Sequence, residues 1–284
     1  MPRFSLGQAT LTVVNAGDIQ YDLADSLKLA EADWPDTYRA DFGRLIHIPQ
    51  QTVVVQCGAV TAVIDIGHPR MPPGCEEYAI PAYDPPPEVP ISMDRLGIPA
   101  QRVTHVIITH SHFDHYDGLC DAHGRPNFPH ARHFLGHADW ESESIQRALG
   151  DPDSLASRTL GVVQRLGLLE LVDGDRHLDI DADIDIDIDI IAAPGETKGH
   201  QLVRVASQGQ TLYCIGDLVH HAVELVHPGL KPYWVDAGTL RLSRDRFITS
   251  ALREDARIVA GHIRGVGRLI RAEAGVRWQQ VPVE

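Results

Sequence analysis

Residues 103–115 read Val-Thr-His-Val-Ile-Ile-Thr-His-Ser-His-Phe-Asp-His, and this stretch decides the interpretation of the whole chain. Its apolar first half has the composition of a buried β-strand. It runs into His110, His112, Asp114 and His115, whose imidazole and carboxylate groups are preferred ligands of zinc and similar ions. At the end of a strand, His110 and His112 can point to one ion, while Asp114 and His115 reach a second. A polar loop with accidental histidines is the alternative, and four potential ligands at the mouth of one strand argue against it.

Three later residues extend the pattern, because each lies beside a strand-like run. His200 lies in a Gly/Pro turn that leads into the run Leu202–Val205. Asp217 and His262 each follow an apolar run and a glycine, which lets the backbone turn as the side chain enters a site. Taken singly, each would be an ordinary polar residue, but the ordered set predicts one metal site.

In this order the motifs resemble those of the metallo-β-lactamase superfamily over nearly the whole chain. The resemblance implies an α/β fold, a four-layered αββα sandwich of two mixed β-sheets with the metals at one edge. It also implies two divalent metal ions, zinc by default, with manganese, iron or cobalt as alternatives. The resemblance divides the ligands between the ions: the first would be held by His110, His112 and His200, the second by Asp114, His115 and His262, and both by Asp217.

The turn before His200 departs from the superfamily pattern. Relatives usually read close to Gly-His-Thr-Pro-Gly-His, whereas residues 195–200 read Gly-Glu-Thr-Lys-Gly-His. The change keeps the ligand and is expected to place Glu196 and Lys198 at the rim of the site. The first motif continues with Tyr116-Asp117-Gly118 instead of a small residue and paired glycines, so a different pocket shape is expected.

The bridging Asp217 helps to indicate which branch of the superfamily the chain resembles, because the true β-lactamases usually lack this aspartate. Residues 216–220 and 265–278 look similar to the methyl parathion hydrolase and lactonase-like branch. Lactonases of this fold carry a tyrosine shortly after the bridging aspartate, and here His220 occupies that neighbourhood. We therefore take His220, with Asp114, as a catalytic candidate; a purely structural role for His220 is the alternative.

The activity that the resemblance implies is that of a metal-dependent hydrolase. Hydroxide held between two ions would attack small esters or lactones, with phosphotriesterase as a side activity, and Asp114 would orient the nucleophile or pass a proton to the leaving group. Alternatives are a glutathione-thioester hydrolase, an iron persulfide dioxygenase, a small-molecule phosphodiesterase and a metal-stabilised binding module. Aromatic side chains that would suit a neutral, partly hydrophobic substrate are Trp34, Tyr38, Phe42, Phe113, Tyr233 and Trp234.

The composition restricts the partners and the compartment. The 284 residues carry a formal net charge of −14, and no cluster of Lys and Arg offers a landing surface for nucleic acid. No apolar run approaches the roughly 20 residues that span a bilayer, and the N-terminus lacks the pattern of a secretory signal. The four cysteines are widely spaced, as is typical of reduced thiols. We expect a cytoplasmic protein with a small-molecule substrate, no nucleic-acid or membrane partner, and a homodimer left open.

The chain as a whole is predicted to form one domain over residues 1–284. Two stretches look like excursions from it: residues 18–50, without a clear period, and residues 68–91, with eight prolines. The second is a surface loop or a rigid flap that shapes a pocket or a dimer contact. Helical spacing predicts helices over residues 138–149, 152–166 and 243–254, the last capped at Ser243.

Residues 179–190 alternate Asp with Ile or Ala. This period of two predicts a strand with one apolar face and one solvated acidic face. A calcium site along the acidic row is the alternative, but the run lacks the glycine turn and the closing glutamate of an EF-hand loop.

Overall fold

The computed structural model describes residues 1–181, 183–272 and 275–283, and over these residues the chain forms two seven-stranded β-sheets. The first sheet follows chain order, with antiparallel pairing up to the fourth strand and parallel pairing from there to the seventh. Its strands are β1 (Arg3–Leu6), β2 (Ala9–Asp22), β3 (Leu45–Cys57), β4 (Val60–Ile64), β5 (His105–Ile107), β6 (Arg132–Gly136) and β7 (Leu169–Val172).

The second sheet is also mixed. Its strands are β8 (Arg176–His177), β9 (Asp187–Ala192), β10 (Gln201–Ser207), β11 (Gln210–Cys214), β12 (Arg257–Val259), β13 (Gly267–Ala272) and β14 (Gly275–Gln280). They again follow chain order across the sheet, and all neighbours are antiparallel except β11 and β12.

The main core lies between the two sheets. Because side chains alternate along a strand, Val53 and Val55 of β3 point into this core and meet Val203 and Val205 of β10. Val54 points to the opposite face. The outer faces are covered by helices, so the predicted four-layered αββα sandwich is confirmed.

The described residues contain eight α-helices, most of them short. They are α1 (Leu23–Leu27), α2 (Val89–Arg95), α3 (His137–Trp140), α4 (Glu143–Leu149), α5 (Leu155–Arg158), α6 (Leu160–Arg165), α7 (Val223–Val226) and α8 (Ala237–Arg253). Helices α2 to α6 lie along the first sheet, and α8 covers the second. Across the described parts of the chain, none of these helices has the length and apolar character needed to cross a bilayer.

The helix bounds differ from the sequence predictions. The segments over 138–149 and 152–166 are each two helices. In the first, Ser142 caps a new helix, and in the second the non-helical backbone of Thr159 separates α5 from α6. The last helix begins at Ala237, with Asp236 accepting the Thr239 N–H at 2.8 Å. The predicted cap at Ser243 was therefore wrong. Ser243 lies within α8, and its side chain is buried.

The first excursion is shorter than predicted. Strand β2 runs on to Asp22 and β3 already starts at Leu45, so only residues 23–44 leave the sheet. The polar residues Asp18, Gln20 and Asp22 around Ile19 and Tyr21 concealed this strand in the sequence. Residues 23–44 build a small core of their own against the ends of these strands, with Leu23 and Phe42 buried.

The Pro-rich stretch and the Asp-Ile run are partly as predicted. The Pro-rich stretch is a loop with one 3₁₀ turn, and α2 begins at Val89 with Pro90 in its first turn. In the Asp-Ile run, β9 begins only at Asp187, so the predicted strand over 179–190 was too long; Ala182 lies outside the described residues. Within β9 the two faces are confirmed, since Ile188 and Ile190 are buried between the sheets. The single-domain interpretation stays a proposal.

Candidate metal centre

The loop that follows β5 carries the first four predicted ligands. It is anchored by Asp65, directly after β4, which accepts the Thr109 N–H at 2.7 Å and the Thr109 hydroxyl at 2.9 Å. The same carboxylate lies 2.9 Å from His115 Nδ1, so it orients that ring. Carboxylate partners of this kind fix the tautomer and direction of metal-binding histidines. Sequence reasoning missed Asp65, although it follows an apolar run just as Asp217 does.

One group of potential ligands gathers around His110 and His112. His110 Nε2 lies 2.9 Å from His112 Nδ1 and 3.6 Å from Asp217 Oδ2. His112 Nδ1 lies 3.5 Å from Glu196 Oε1. These four ligand atoms all lie within 4.8 Å of one another, which is compatible with one shared cation.

A second group contains Asp114, His115 and His262. His262 Nε2 lies 3.3 Å from Asp114 Oδ2, and His115 Nε2 lies 3.7 Å from the same oxygen. The other nitrogen of His262 lies 2.8 Å from the Pro49 carbonyl, which orients the ring. All three ligand side chains are buried.

Asp217 lies between the two groups. Its Oδ1 is 3.3 Å from His115 Nε2, and its Oδ2 is 3.1 Å from His262 Nε2. Burial by itself would raise the pKa of Asp217, but His262, His115 and His220 outweigh it and hold the pKa well below its usual range. The carboxylate is therefore ionised and faces both groups.

His200 reaches the site from the turn before β10, at the edge of the first group. Its ring centroid is 5.1 Å from that of His110, and its Nε2 accepts the Asp217 N–H at 3.3 Å. Its Nδ1 lies 3.0 Å from the Ala193 carbonyl. Burial lowers the pKa of His200 to about 3, and burial also holds the pKa of His110 well below its usual range. Both rings are thus neutral, the form that binds metals.

Whether cations fit the site can be judged from the hydrogen bonding of its buried polar atoms. His115 Nε2 and Asp217 Oδ1 are buried without a hydrogen-bond partner among the described residues. Unpaired buried polar atoms are costly, and here they converge on one space that the neutral imidazoles of His110 and His200 and the ionised carboxylate of Asp217 surround. The donor set fits divalent cations. The division of the seven predicted ligands between two ions stays a prediction.

His220 lies inside the site, with Nε2 3.3 Å from Asp217 Oδ2. Its ring stacks on those of His262 and Tyr21, at centroid distances of 5.6 Å and 6.0 Å. Glu224 accepts the His220 N–H at 2.9 Å and is itself paired with the buried Arg244. The structure therefore brings His220 next to the predicted ligands, and its catalytic role stays a proposal.

Two acidic residues lie at the site in positions that sequence reasoning did not predict. Glu196 was expected at the rim, but it is buried, and only Lys198 of that pair is exposed. Asp139, on α3, accepts the Ser111 N–H at 2.8 Å and the Gly199 N–H at 2.6 Å. It ties the first ligand loop to the turn that carries His200. No pattern near Asp139 in the sequence points to this role.

A cavity of about 680 Å³ opens over the ligands. Its walls are largely aromatic and aliphatic, and the aromatic and aliphatic residues among the described ones that line it are Ile19, Tyr21, Ile48, Tyr78, Phe113, Tyr116, Ile145, Ala148, Tyr233 and Trp234. Three of the aromatic residues expected near the substrate, Trp34, Tyr38 and Phe42, instead pack in the small core of the excursion. The cavity therefore combines a charged floor with a largely apolar wall.

Comparison with known families identifies the chain. The sequence model described as the metallo-beta-lactamase superfamily matches residues 48–262, a range that includes every predicted ligand. The chain belongs to the metallo-β-lactamase superfamily. With its buried His and Asp groups, this superfamily member is a metal-dependent hydrolase.

Several solved structures share the fold of this superfamily member. AidC, a dizinc quorum-quenching lactonase in complex with a product, has a TM-score of 0.77 and 20% identity, covering 99% of this chain and 97% of its own. A probable metal-dependent hydrolase from Staphylococcus aureus has a TM-score of 0.74 and 18% identity, covering 93% and 94%. An N-acyl homoserine lactone hydrolase with product at its catalytic metal centre has a TM-score of 0.62 and 15% identity, covering 91% and 94%. No curated protein is significantly similar in sequence.

Proposed function

We propose that this protein is a dinuclear metal-dependent hydrolase of small esters or lactones, with phosphotriesterase as a side activity. The observation that carries the proposal is the position of Asp217 between two groups of buried ligands under one cavity. The lactonase activity stated for AidC and for the homoserine lactone hydrolase supports the choice of substrate class.

The first ion would be held by His110, His112 and His200, the second by Asp114, His115 and His262, and Asp217 would contact both. Two divalent ions, zinc by default and manganese, iron or cobalt as alternatives, would lower the pKa of water and supply hydroxide at neutral pH.

The protein side chains bind and orient the substrate. The apolar wall, with Phe113 and Trp234, receives the hydrophobic part of the substrate and excludes water. His220 and Asp114 both line the cavity, so they can reach a substrate bound there. Asp114 Oδ2 would orient the attacking group or carry its proton to the leaving oxygen, and His220 would hydrogen-bond the substrate.

The test is metal quantification on purified protein, coupled to a screen of lactones, aryl esters and phosphotriesters. We expect two ions per chain in the wild type and the loss of at least one ion in Asp217→Ala and His112→Ala. Asp84→Ala, at an exposed acidic residue of the Pro-rich loop, is the control and should keep both ions. One iron per chain with oxygen uptake, or full metal content and turnover in Asp217→Ala, would overturn the proposal. The cytoplasmic location and the expected partners stay predictions.

A further inference from the structure

Glu196 is a buried acid in the turn between β9 and β10, and none of the roles proposed above uses it. Its side chain is inaccessible to solvent, with Oε1 3.5 Å from His112 Nδ1 and 3.7 Å from His220 Nε2. The resemblance that predicted the ligands offers no function for it, because the superfamily turn usually has histidine at this position.

One neighbour holds the Glu196 side chain in place. The Trp234 indole N–H donates to Glu196 Oε1 at 2.5 Å, while Oε2 is buried with no hydrogen-bond partner among the described residues. Trp234 is partly exposed at the cavity wall, so its indole links the wall to the floor of the site.

The carboxylate has little to balance its charge. Among the described residues, no Lys or Arg lies within ion-pair distance of Glu196, and its only potential ion-pair partners at that distance are His112 and His220. The carboxylate of Asp217, which has the same charge, lies within 4.8 Å. A buried carboxylate with a single N–H donor is unfavourable unless a cation compensates it. His110 Nε2 and His112 Nδ1, which lie 2.9 Å apart, mark where that cation would lie.

We propose that Glu196 is an additional ligand of the ion held by His110 and His112, and that Trp234 is its positioning residue. The inference rests on the proposed metal centre. It adds one oxygen and one negative charge to a set otherwise dominated by imidazoles. Carboxylate oxygen favours harder ions such as Mn²⁺, whereas imidazole suits zinc. Glu196 therefore raises the affinity for Mn²⁺ more than the affinity for Zn²⁺.

The experiment compares metal binding by the full-length wild type with that of Glu196→Gln, which keeps the shape of the side chain and removes its charge. Metal-free protein is titrated with Zn²⁺, Mn²⁺ and Co²⁺ in competition with a chelator, and the visible absorption of the Co²⁺ form is recorded. We expect one of two sites in Glu196→Gln to weaken by about tenfold or more, with the larger loss for Mn²⁺, and a changed Co²⁺ spectrum. Circular dichroism checks that each variant is folded.

Two further variants separate the contributions. Lys198→Gln lies in the same turn but is exposed, so it should bind metal as the wild type does. Trp234→Phe removes the N–H that holds Glu196, with one ring of the indole, and should weaken the same site to a smaller extent. Wild-type affinity in Trp234→Phe would overturn the positioning role of Trp234.

The outcomes distinguish this inference from the proposed function. Unchanged affinities and an unchanged Co²⁺ spectrum in Glu196→Gln would overturn the ligand role alone, and a rise in KM in that case would make Glu196 a substrate contact. A wild-type chain that takes up no metal would overturn both proposals.

Discussion

Gly261 shows how closely the backbone approaches the metal ligands. A Cβ atom at this position would lie 2.6 Å from Asp217 Oδ1 and 3.1 Å from His115 Cε1. Real Cβ contacts are essentially never that short, so any side chain here must displace the carboxylate between the two groups. The requirement for glycine at this position is one of space.

Gly261→Ala is expected to weaken metal binding by about tenfold or more, because Asp217 has to move from its position between the groups. The measurement is the affinity for Zn²⁺ in chelator competition. Gly229→Ala is the matched control, since a Cβ there meets nothing within 4 Å. Equal affinities for the wild type and Gly261→Ala would show that the carboxylate is not held where the structure has it.

The sequence supports the prediction of some site residues and not of others. His110, Asp217 and His262 each lie just beyond an apolar run, so the topology of a sandwich brings them to one edge. Glu196 and Asp139 lack this signal. Their positions depend on the shape of the 195–200 turn, which tertiary contacts determine.

At the scale of elements, α8 illustrates why the bounds of a helix are hard to predict. Its first turn, Ala237–Leu240, contains Gly238 and Thr239, which have low helix propensity, so the sequence signal favoured a later start. The actual start is set by the side chain of Asp236, which accepts the Thr239 N–H.

Asp236→Ala is expected to destabilise the protein by about 1 kcal/mol, because the first turn of α8 loses its only side-chain cap. The measurement is the midpoint of urea unfolding at constant metal concentration. Asp245→Ala, which removes an exposed carboxylate from the middle of the same helix, is expected to change the midpoint little. Equal midpoints for Asp236→Ala and Asp245→Ala would contradict the capping role.

The long strands β2 and β3 show a second limit of sequence reasoning. Their projecting ends contain buried Ile19, Tyr21 and Ile48, and these side chains form part of the cavity wall. The polar residues around Ile19 and Tyr21 and the proline after Ile48 hide the alternation of buried and exposed side chains. Only the pairing of the two strands over twelve positions makes the extension stable. This part of the cavity wall was therefore not predictable from local pattern, whereas Phe113, Tyr233 and Trp234 were expected near the substrate and line the cavity.

At the scale of the whole molecule, His133 on β6 makes stability depend on pH. It is fully buried, and burial lowers its pKa to about 4, although the Ala131 carbonyl, 3.1 Å from Nδ1, acts in the opposite direction. In the unfolded chain the pKa of histidine is about 6.5. Below about pH 6.5 the unfolded chain therefore binds a proton that the folded protein does not, and stability falls as the pH drops toward 4.

His133→Leu should remove this contribution. We expect the wild type to lose about 2 kcal/mol more than the variant between pH 7.5 and pH 5, as follows from the two pKa values. Urea unfolding at both pH values provides the comparison, and His130→Gln, at an exposed neighbouring histidine, should behave as the wild type. Parallel pH dependence in the wild type and His133→Leu would contradict the assignment.

The four-layered arrangement of the sandwich was predicted only through the resemblance to a family. The order of the strands within each sheet could not be derived from composition, because pairing depends on contacts between segments that are distant in sequence, such as β4 with β5 and β11 with β12. Hydrogen bonds that connect the two sheets were also not predicted. Gln51 of the first sheet donates to the Ala260 carbonyl of the second at 2.8 Å, and no local pattern indicates this contact.

The predicted ligands lie in loops at the strand ends of both sheets: residues 110–115 follow β5 of the first sheet, whereas His200 precedes β10 of the second, and Asp217 and His262 follow β11 and β12. A bound ion would therefore fasten the halves of the sandwich to each other. Metal binding and folding are then coupled, because the metal-free protein lacks a cross-link between the two sheets at the edge that carries the site. In a cell, a shortage of the ion would lower both the resistance of the protein to proteases and its catalytic activity.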